Sequence, residues 1–153
     1  MIIIIEGPDG SGKTRLAEQL SKQTGYKIRH RSKPETEEER TKMMDDYLVD
    51  IRSNKNIIWD RSFYSEMVYG NVMRDKSYIN WTQMLQLETE LANVGAIIIH
   101  CTADILKLWD RCKSRGEDYI KDIDKLEAIR DGFEELLTKR PHNIPVVNYK
   151  VYE

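Results

Sequence analysis

Cysteine is scarce in this chain of 153 residues, which has two, Cys101 and Cys112. They have neither the Cys-x-x-Cys spacing of a metal or redox site nor the density of a secreted disulfide framework, and a reduced, cytoplasmic setting is expected. A long apolar run is missing as well. The opening stretch Met1–Ile5 stops at Glu6, far short of a membrane span or a signal-peptide core, and no targeting signal is visible. Nor does one charge dominate. With 24 Lys plus Arg against 26 Asp plus Glu, the formal net charge is -2, so no global attraction to a nucleic-acid backbone is expected, although a local basic patch could still hold phosphate. There is no internal repeat. The length suits one domain, residues 1–153, with a core that needs neither disulfides nor a structural metal.

What is present is an alternation. β-Branched runs recur at Ile2–Ile5, Tyr26–Arg29, Ile57–Trp59, Ala96–Cys101 and Val146–Tyr149, with helically spaced apolar residues between them. The stretches "IIII", "NIIW" and "AIIIH" are apolar throughout, as strands buried on both faces of a parallel sheet are. Helices are marked by Leu16, Ala17 and Leu20, by Leu85 to Ala92 ahead of Gly95, and by Leu126 to Leu137. The charged "KPETEEERTK" leads into Met43, Met44, Tyr47, Leu48 and Ile51 at helical spacing, and reads as a solvated helix start or a flap over a site.

Gly7-Pro8-Asp9-Gly10-Ser11-Gly12-Lys13-Thr14 satisfies G-x-x-x-x-G-K-[ST] between a buried strand and a helix, the context this motif requires. Gly7, Gly10 and Gly12 let backbone N–H groups converge on phosphates, and the helix starting near Lys13 turns its positive end toward the same anion. Asp9 and Ser11 complete the turn. Lys13 is expected to neutralise the β/γ oxygens of ATP and the Thr14 hydroxyl to ligate Mg²⁺. A GTPase is not expected, because no Asn-Lys-x-Asp stretch follows.

A phosphotransferase also needs an acceptor site. "NIIWDRSFYSEMVYG" ends a strand with Asp60-Arg61, at the sheet edge where open α/β folds bind ligands. Asp60 is a candidate for holding the metal or its water, and Arg61 for gripping a phosphate through two nitrogens. In "LWDRCKSRGEDY", Arg111 and Arg115 lie four apart on one helix face ahead of Gly116, as in a lid over about residues 111–121.

On these residues the chain resembles the thymidylate kinases. "EGPDGSGKT" is similar to their EGxDGxGKTT, "DRSFYSEMVY" to DRYxxSxxAY, "RCKSRGEDY" to the arginine lid RxxxRGxxD, and "IRDGFEELL" to VRxxYxxLA. The resemblance implies a three-layer α/β/α P-loop kinase fold with a five-stranded parallel sheet ordered 2-3-1-4-5. It also implies transfer of the γ-phosphate of ATP to a deoxynucleoside monophosphate, and a homodimer. Carried over by residue, it puts Asp9 on the acceptor's 3′-hydroxyl, Arg61 on its phosphate, Tyr69 against the deoxyribose, Ser65 near the base, and Arg111 and Arg115 in the lid. Two departures stand out. The stretch "RHRSKPETEEER" keeps Pro34 and Thr36 but lacks the family's glycines, leaving Arg29, Arg31 or Arg40 to contact the acceptor phosphate. The phenylalanine and arginine that read thymine have no clear counterparts, and Glu66, on the base side, would accept from an exocyclic amine or a hydroxymethyl group more readily than it would face thymine's carbonyls.

"RSFYSE" also resembles the deoxynucleoside kinases, but Lys33 precedes Pro34 where they place a carboxylate base. A monophosphate acceptor is already nucleophilic and needs no such base. The alternatives are a deoxynucleoside kinase or a kinase for a modified nucleotide and, outside enzymes, a regulatory nucleotide-binding module.

Overall fold

Five strands form one sheet: β1 (Ile2–Glu6), β2 (Lys27–His30), β3 (Ile57–Asp60), β4 (Ile97–Thr102) and β5 (Val146–Lys150). Their order is β2-β3-β1-β4-β5 and every ladder is parallel, the arrangement expected from the sequence. The computed structural model describes residues 1–53, 55–116 and 120–150. Register is set by the isoleucines, with Ile4 opposite Trp59 on one side and Ile98 on the other. All five residues of β1 are buried, whereas β2 and β5, at the sheet edges, contain exposed and half-buried residues.

Side chains alternate across a strand, so β1 serves two cores. Ile3 and Ile5 meet Ala17, Ile58 and Cys101 beneath α1 (Lys13–Thr24). Ile2 and Ile4 join the larger core with Trp59, Phe63, Tyr64, Leu91 and Phe133. Each fully buried isoleucine contributes roughly 1.5–3 kcal/mol. The second core takes residues from α2 (Glu37–Arg52), α3 (Phe63–Arg74), α4 (Trp81–Asn93), α5 (Ile105–Ser114) and α6 (Ile123–Phe133). Helices on both faces of the sheet make three layers, α/β/α.

The charged stretch before Met43 is a helix start: Thr36 caps α2 by accepting from the Glu39 N–H, and Glu37, Glu38 and Glu39 lie in its first turn, where the helix dipole favours carboxylates. Helix α6 runs on into a π-helical segment, Glu134–Lys139, whose wider turn still buries Leu136 and Leu137. Of the lid expected over about residues 111–121, residues 117–119 lie outside the described residues. No helix among the described residues is long and apolar enough to cross a membrane.

Candidate active site

The carboxyl ends of β1, β3 and β2 bring Glu6, Asp60 and His30 to one edge of the sheet. The phosphate turn leaves β1 there, and two of its glycines are fixed by close approach. A Cβ on Gly7 would lie 2.1 Å from the Cys101 carbonyl oxygen of β4, and one on Gly10 would lie 2.8 Å from the Leu108 carbonyl oxygen of α5. The second contact seats α5 on the turn and carries Arg111 to it. Within the turn, Ser11 Oγ donates to the Pro8 carbonyl at 2.7 Å, and Lys13 Nζ donates to the same oxygen at 2.9 Å. Burial, reinforced by the Arg61 charge, lowers the Lys13 ammonium to about 8.

Thr14 Oγ1 donates to Asp60 Oδ2 at 2.8 Å, and His30 Nδ1 lies 2.8 Å from the same oxygen. A hydroxyl beside a carboxylate is a hard-oxygen pair that fits Mg²⁺, which takes one or two protein ligands and completes its shell with water and substrate phosphate. Among the described residues no group of three or more His, Cys, Asp or Glu side chains could hold a metal.

Arg61 occupies the next position along from Asp60 with φ 73°, a left-handed conformation that costs a non-glycine residue on the order of 1–3 kcal/mol. Its N–H donates to the Ile5 carbonyl at 3.1 Å, tying it to β1. The side chain then turns to the phosphate turn, with Nη2 2.5 Å from Asp9 Oδ1 and the guanidinium carbon 5.2 Å from the Tyr69 ring centre. Tyr69 Oη in turn accepts from the Asp9 N–H at 3.1 Å. Burial opposes the Arg61 charge, but Tyr69, Asp9 and Glu6 outweigh it and hold the group above its ordinary range. Burial also pushes the Tyr69 phenol up, against the pull of Arg61.

Two cavities open on either side of this cluster. One, about 620 Å³, is lined by Gly10, Gly12, Lys13, Thr14, Asp60, Arg111 and Arg115, with Arg15, Glu18 and His30 at its margin. The other, about 420 Å³, is lined by Pro34, Met43, Tyr47, Ser62, Ser65, Glu66 and Arg74, with Ser32 and Lys33. Asp9, Arg31 and Arg61 belong to both and form the wall between them. The larger cavity carries six basic side chains (Lys13, Arg15, Arg31, Arg61, Arg111 and Arg115) against three carboxylates (Asp9, Glu18 and Asp60), although the chain as a whole is slightly acidic.

Of the three arginines left open for the acceptor phosphate, Arg31 is the one on this dividing wall. Its guanidinium lies over the rings of Tyr47 and Trp59, at 4.2 and 4.3 Å, the two rings standing side by side with centres 5.4 Å apart, and is paired with Asp50 at 2.5 Å. Arg29 pairs with Asp50 at 2.9 Å and lines neither cavity, and Arg40 lies 4.7 Å over Tyr78 and also lines neither.

A family model described as Polyphosphate kinase 2 (PPK2) matches residues 1–140. The chain belongs to the PPK2 family. It is 31% identical over 134 residues to the SPbeta prophage-derived uncharacterized protein YorR of Bacillus subtilis strain 168, covering 85% of this chain and 80% of that one. The crystal structure of Bacillus subtilis YorR in complex with phosphorylated GDP superposes with a TM-score of 0.82 at 25% identity, over 98% of this chain and 85% of that chain. Deoxyadenosine kinase from M. mycoides, solved with dCMP and dCDP, shares the fold at TM-score 0.62 and 20% identity, over 97% and 89% of the two chains. Membership of PPK2 makes the chain a P-loop kinase-type phosphotransferase, and these matches do not point to the thymidylate kinases specifically.

The site of this PPK2-family chain holds residues in arrangements that the sequence did not disclose. Ser65 lines the smaller cavity, but its hydroxyl donates to Glu6 Oε1 at 2.5 Å. Glu66 lines it too, with its carboxylate engaged by Arg74 at 2.6 Å, the Tyr78 N–H at 2.7 Å and Ser77 Oγ at 3.2 Å. An amine reaching Glu66 must therefore share these acceptors. His30 and Glu6 were not singled out as site residues. Only the Glu-Gly start of the phosphate motif could have flagged Glu6, and nothing in the sequence pairs His30 with Asp60.

Proposed function

We propose that the chain is an ATP- and Mg²⁺-dependent phosphotransferase that moves the γ-phosphate of ATP to a deoxynucleoside monophosphate, giving the diphosphate. The observation that carries this reading is the pair of cavities joined at Asp9, Arg31 and Arg61. A binding module needs one anion site; this molecule has a phosphate cleft and a second, less polar pocket, with two guanidiniums where they meet.

In this reading the phosphate turn and Lys13 hold the β- and γ-phosphates, and Arg31 and Arg61 hold the acceptor phosphate facing them. An acceptor oxygen attacks the γ-phosphorus in line, its new P–O bond forms as the bond to the β,γ-bridging oxygen breaks, and ADP leaves. Lys13, Arg61, Arg111 and Arg115 stabilise the charge that spreads over the transferred group. Thr14 and Asp60 would hold Mg²⁺, which when bound neutralises the β/γ oxygens. Asp9 faces the acceptor sugar from across the turn, Tyr69 packs beside it, and Ser65 and Glu66 border the base. The resemblance to thymidylate kinases supports a dTMP-like acceptor, whereas the phosphorylated GDP in the YorR structure supports a purine nucleotide.

The family's description favours a second reading of the donor alone, in which inorganic polyphosphate supplies the phosphoryl group. The six basic side chains of the larger cavity suit either polyanion. The test is a matrix of ATP or polyphosphate with Mg²⁺ against each deoxynucleoside monophosphate, ribonucleoside monophosphate and nucleoside, with Lys13→Ala as control. Formation of a diphosphate from ATP and one or more deoxynucleoside monophosphates is expected. Transfer from polyphosphate alone would replace the donor, and phosphorylation of nucleosides alone would replace the acceptor. Acceptor-independent loss of ATP, or no loss, would remove the kinase reading of this site.

A further inference from the structure

Glu6 ends β1 one residue before the phosphate turn, with no exposed surface. Burial raises its carboxyl above the usual range, opposed by hydrogen bonds from Ser65 and Ser62 and by the Arg61 charge. A buried carboxylate costs several kcal/mol unless its lone pairs are taken up. Here the N–H and hydroxyl of Ser62 donate to Oε2 at 3.0 and 2.7 Å, the Ser65 N–H donates to Oε2 at 2.8 Å, and the Ser65 hydroxyl donates to Oε1 at 2.5 Å. The two serines bracket the start of α3: Ser62 is its N-cap and its hydroxyl also accepts from the Tyr64 N–H at 3.2 Å. The first-turn N–H groups of a helix are those that lack partners within it, and a carboxylate there also meets the positive end of the dipole.

We propose that Glu6 is a positioning residue that locks the first turn of α3, and with it Arg61 and Ser65, at a fixed offset from the phosphate turn. Glu6 is wholly enclosed and lines neither cavity, so it touches no substrate. It acts from the strand that carries the donor loop on the helix that carries the acceptor side, across 56 residues of sequence to Ser62 and 59 to Ser65. Arg61, one residue before the cap, needs such a restraint because its backbone is in the left-handed region at φ 73°. The contacts Asp9–Arg61 and Asp9 N–H to Tyr69 Oη lie further out along the same seam, and both depend on where α3 begins.

The inference rests on the acceptor reading of the smaller cavity, and its test has one arm that does not. In Glu6→Gln, which keeps the shape and loses the charge, the acceptor KM is expected to rise three- to tenfold while donor affinity stays within twofold. In Glu6→Ala the acceptor effect is expected to exceed thirtyfold, and Glu6→Gln then serves as the partial rescue. If Glu6→Ala does not fold, Glu6→Gln and Ser62→Ala decide. The independent arm is amide hydrogen exchange on the full chain: residues 62–66 are expected to exchange at least threefold faster in Glu6→Gln, with α1 unchanged. Equal loss of donor and acceptor affinity, or exchange at 62–66 identical to wild type, would overturn the proposal. If no nucleotide is phosphorylated by the wild type, the functional reading fails and the exchange result alone decides the role of Glu6.

Discussion

The two cavities differ in how they are built. The larger cavity, the proposed donor side, is built from the glycine turn, fixed by contact with β4 and α5, and from basic side chains. The acceptor side is made of side chains already bonded to one another: Asp9 with Arg61, Arg31 with Asp50, and Glu66 with Arg74 and the Tyr78 N–H. A phosphate entering the first meets an excess of basic side chains, with Lys13 able to exchange the Pro8 carbonyl for an anionic oxygen, whereas a nucleotide entering the second meets Arg74 and Glu66 already paired with each other. In the proposed reaction affinity comes from the larger cavity and discrimination from the smaller one, because an imperfectly matched base leaves a buried polar group unpaired.

The contrast can be tested at several points, the largest effect first. Lys13→Ala is expected to lower transfer on the order of 10²–10³-fold with every acceptor alike, since it removes charge from the shared donor side; rates across an acceptor panel check this. Arg31→Lys retains the charge but loses the planar group that lies over Tyr47 and Trp59 and the fixed fork toward a phosphate. It is expected to raise the acceptor KM about tenfold, as for one lost charge-assisted contact, and to leave donor affinity unchanged in steady-state kinetics. Glu66→Gln is expected to reorder the ranking of bases by severalfold factors with little change for the best donor. An unchanged ranking would remove Glu66 from base reading and leave it as a brace for residues 74–78.

The smallest effect concerns pH. Burial and Arg61 hold the Lys13 ammonium at about 8, and bound phosphate raises it, so the complex holds more protons than the free protein. Nucleotide affinity should therefore fall as pH rises through about 8. Calorimetry at pH near 8.5, in buffers of different ionisation enthalpy, is expected to show uptake of part of a proton in wild type and none in Lys13→Met.

The same contrast explains what the sequence made legible. The sheet could be read because its central strands are apolar throughout, with Ile2–Ile5, Ile58 and Ile98 buried and Ile57, Ile97 and Ile99 half-buried, while the strand order was implied by the family resemblance. The phosphate turn could be read because its function lies in the backbone and its residues are contiguous. Helix α3 carries no amphipathic stripe, since Phe63 to Val68 are all buried, so its extent was not evident from apolar spacing. The acceptor side resisted for a different reason. Its pairs join residues far apart in the chain, such as Asp9 with Arg61 and Arg31 with Trp59, and one sequence does not say which carboxylate meets which arginine. Asp9 is the instructive case: the phosphate motif leaves its position unspecified, yet it is the residue of the turn that reaches across to the other cavity.

The central claim is that the two cavities are one reaction site joined at Arg61. The most direct test is transfer from ATP labelled on the γ-phosphate to a deoxynucleoside monophosphate, compared between wild type and Arg61→Ala alongside equilibrium ATP binding. Labelled diphosphate from wild type is predicted, with transfer reduced at least a hundredfold in Arg61→Ala and ATP affinity kept within about threefold, the pattern of a residue that acts on the transferred group. Transfer by Arg61→Ala at the wild-type rate would contradict the account, as would loss of ATP binding in step with transfer.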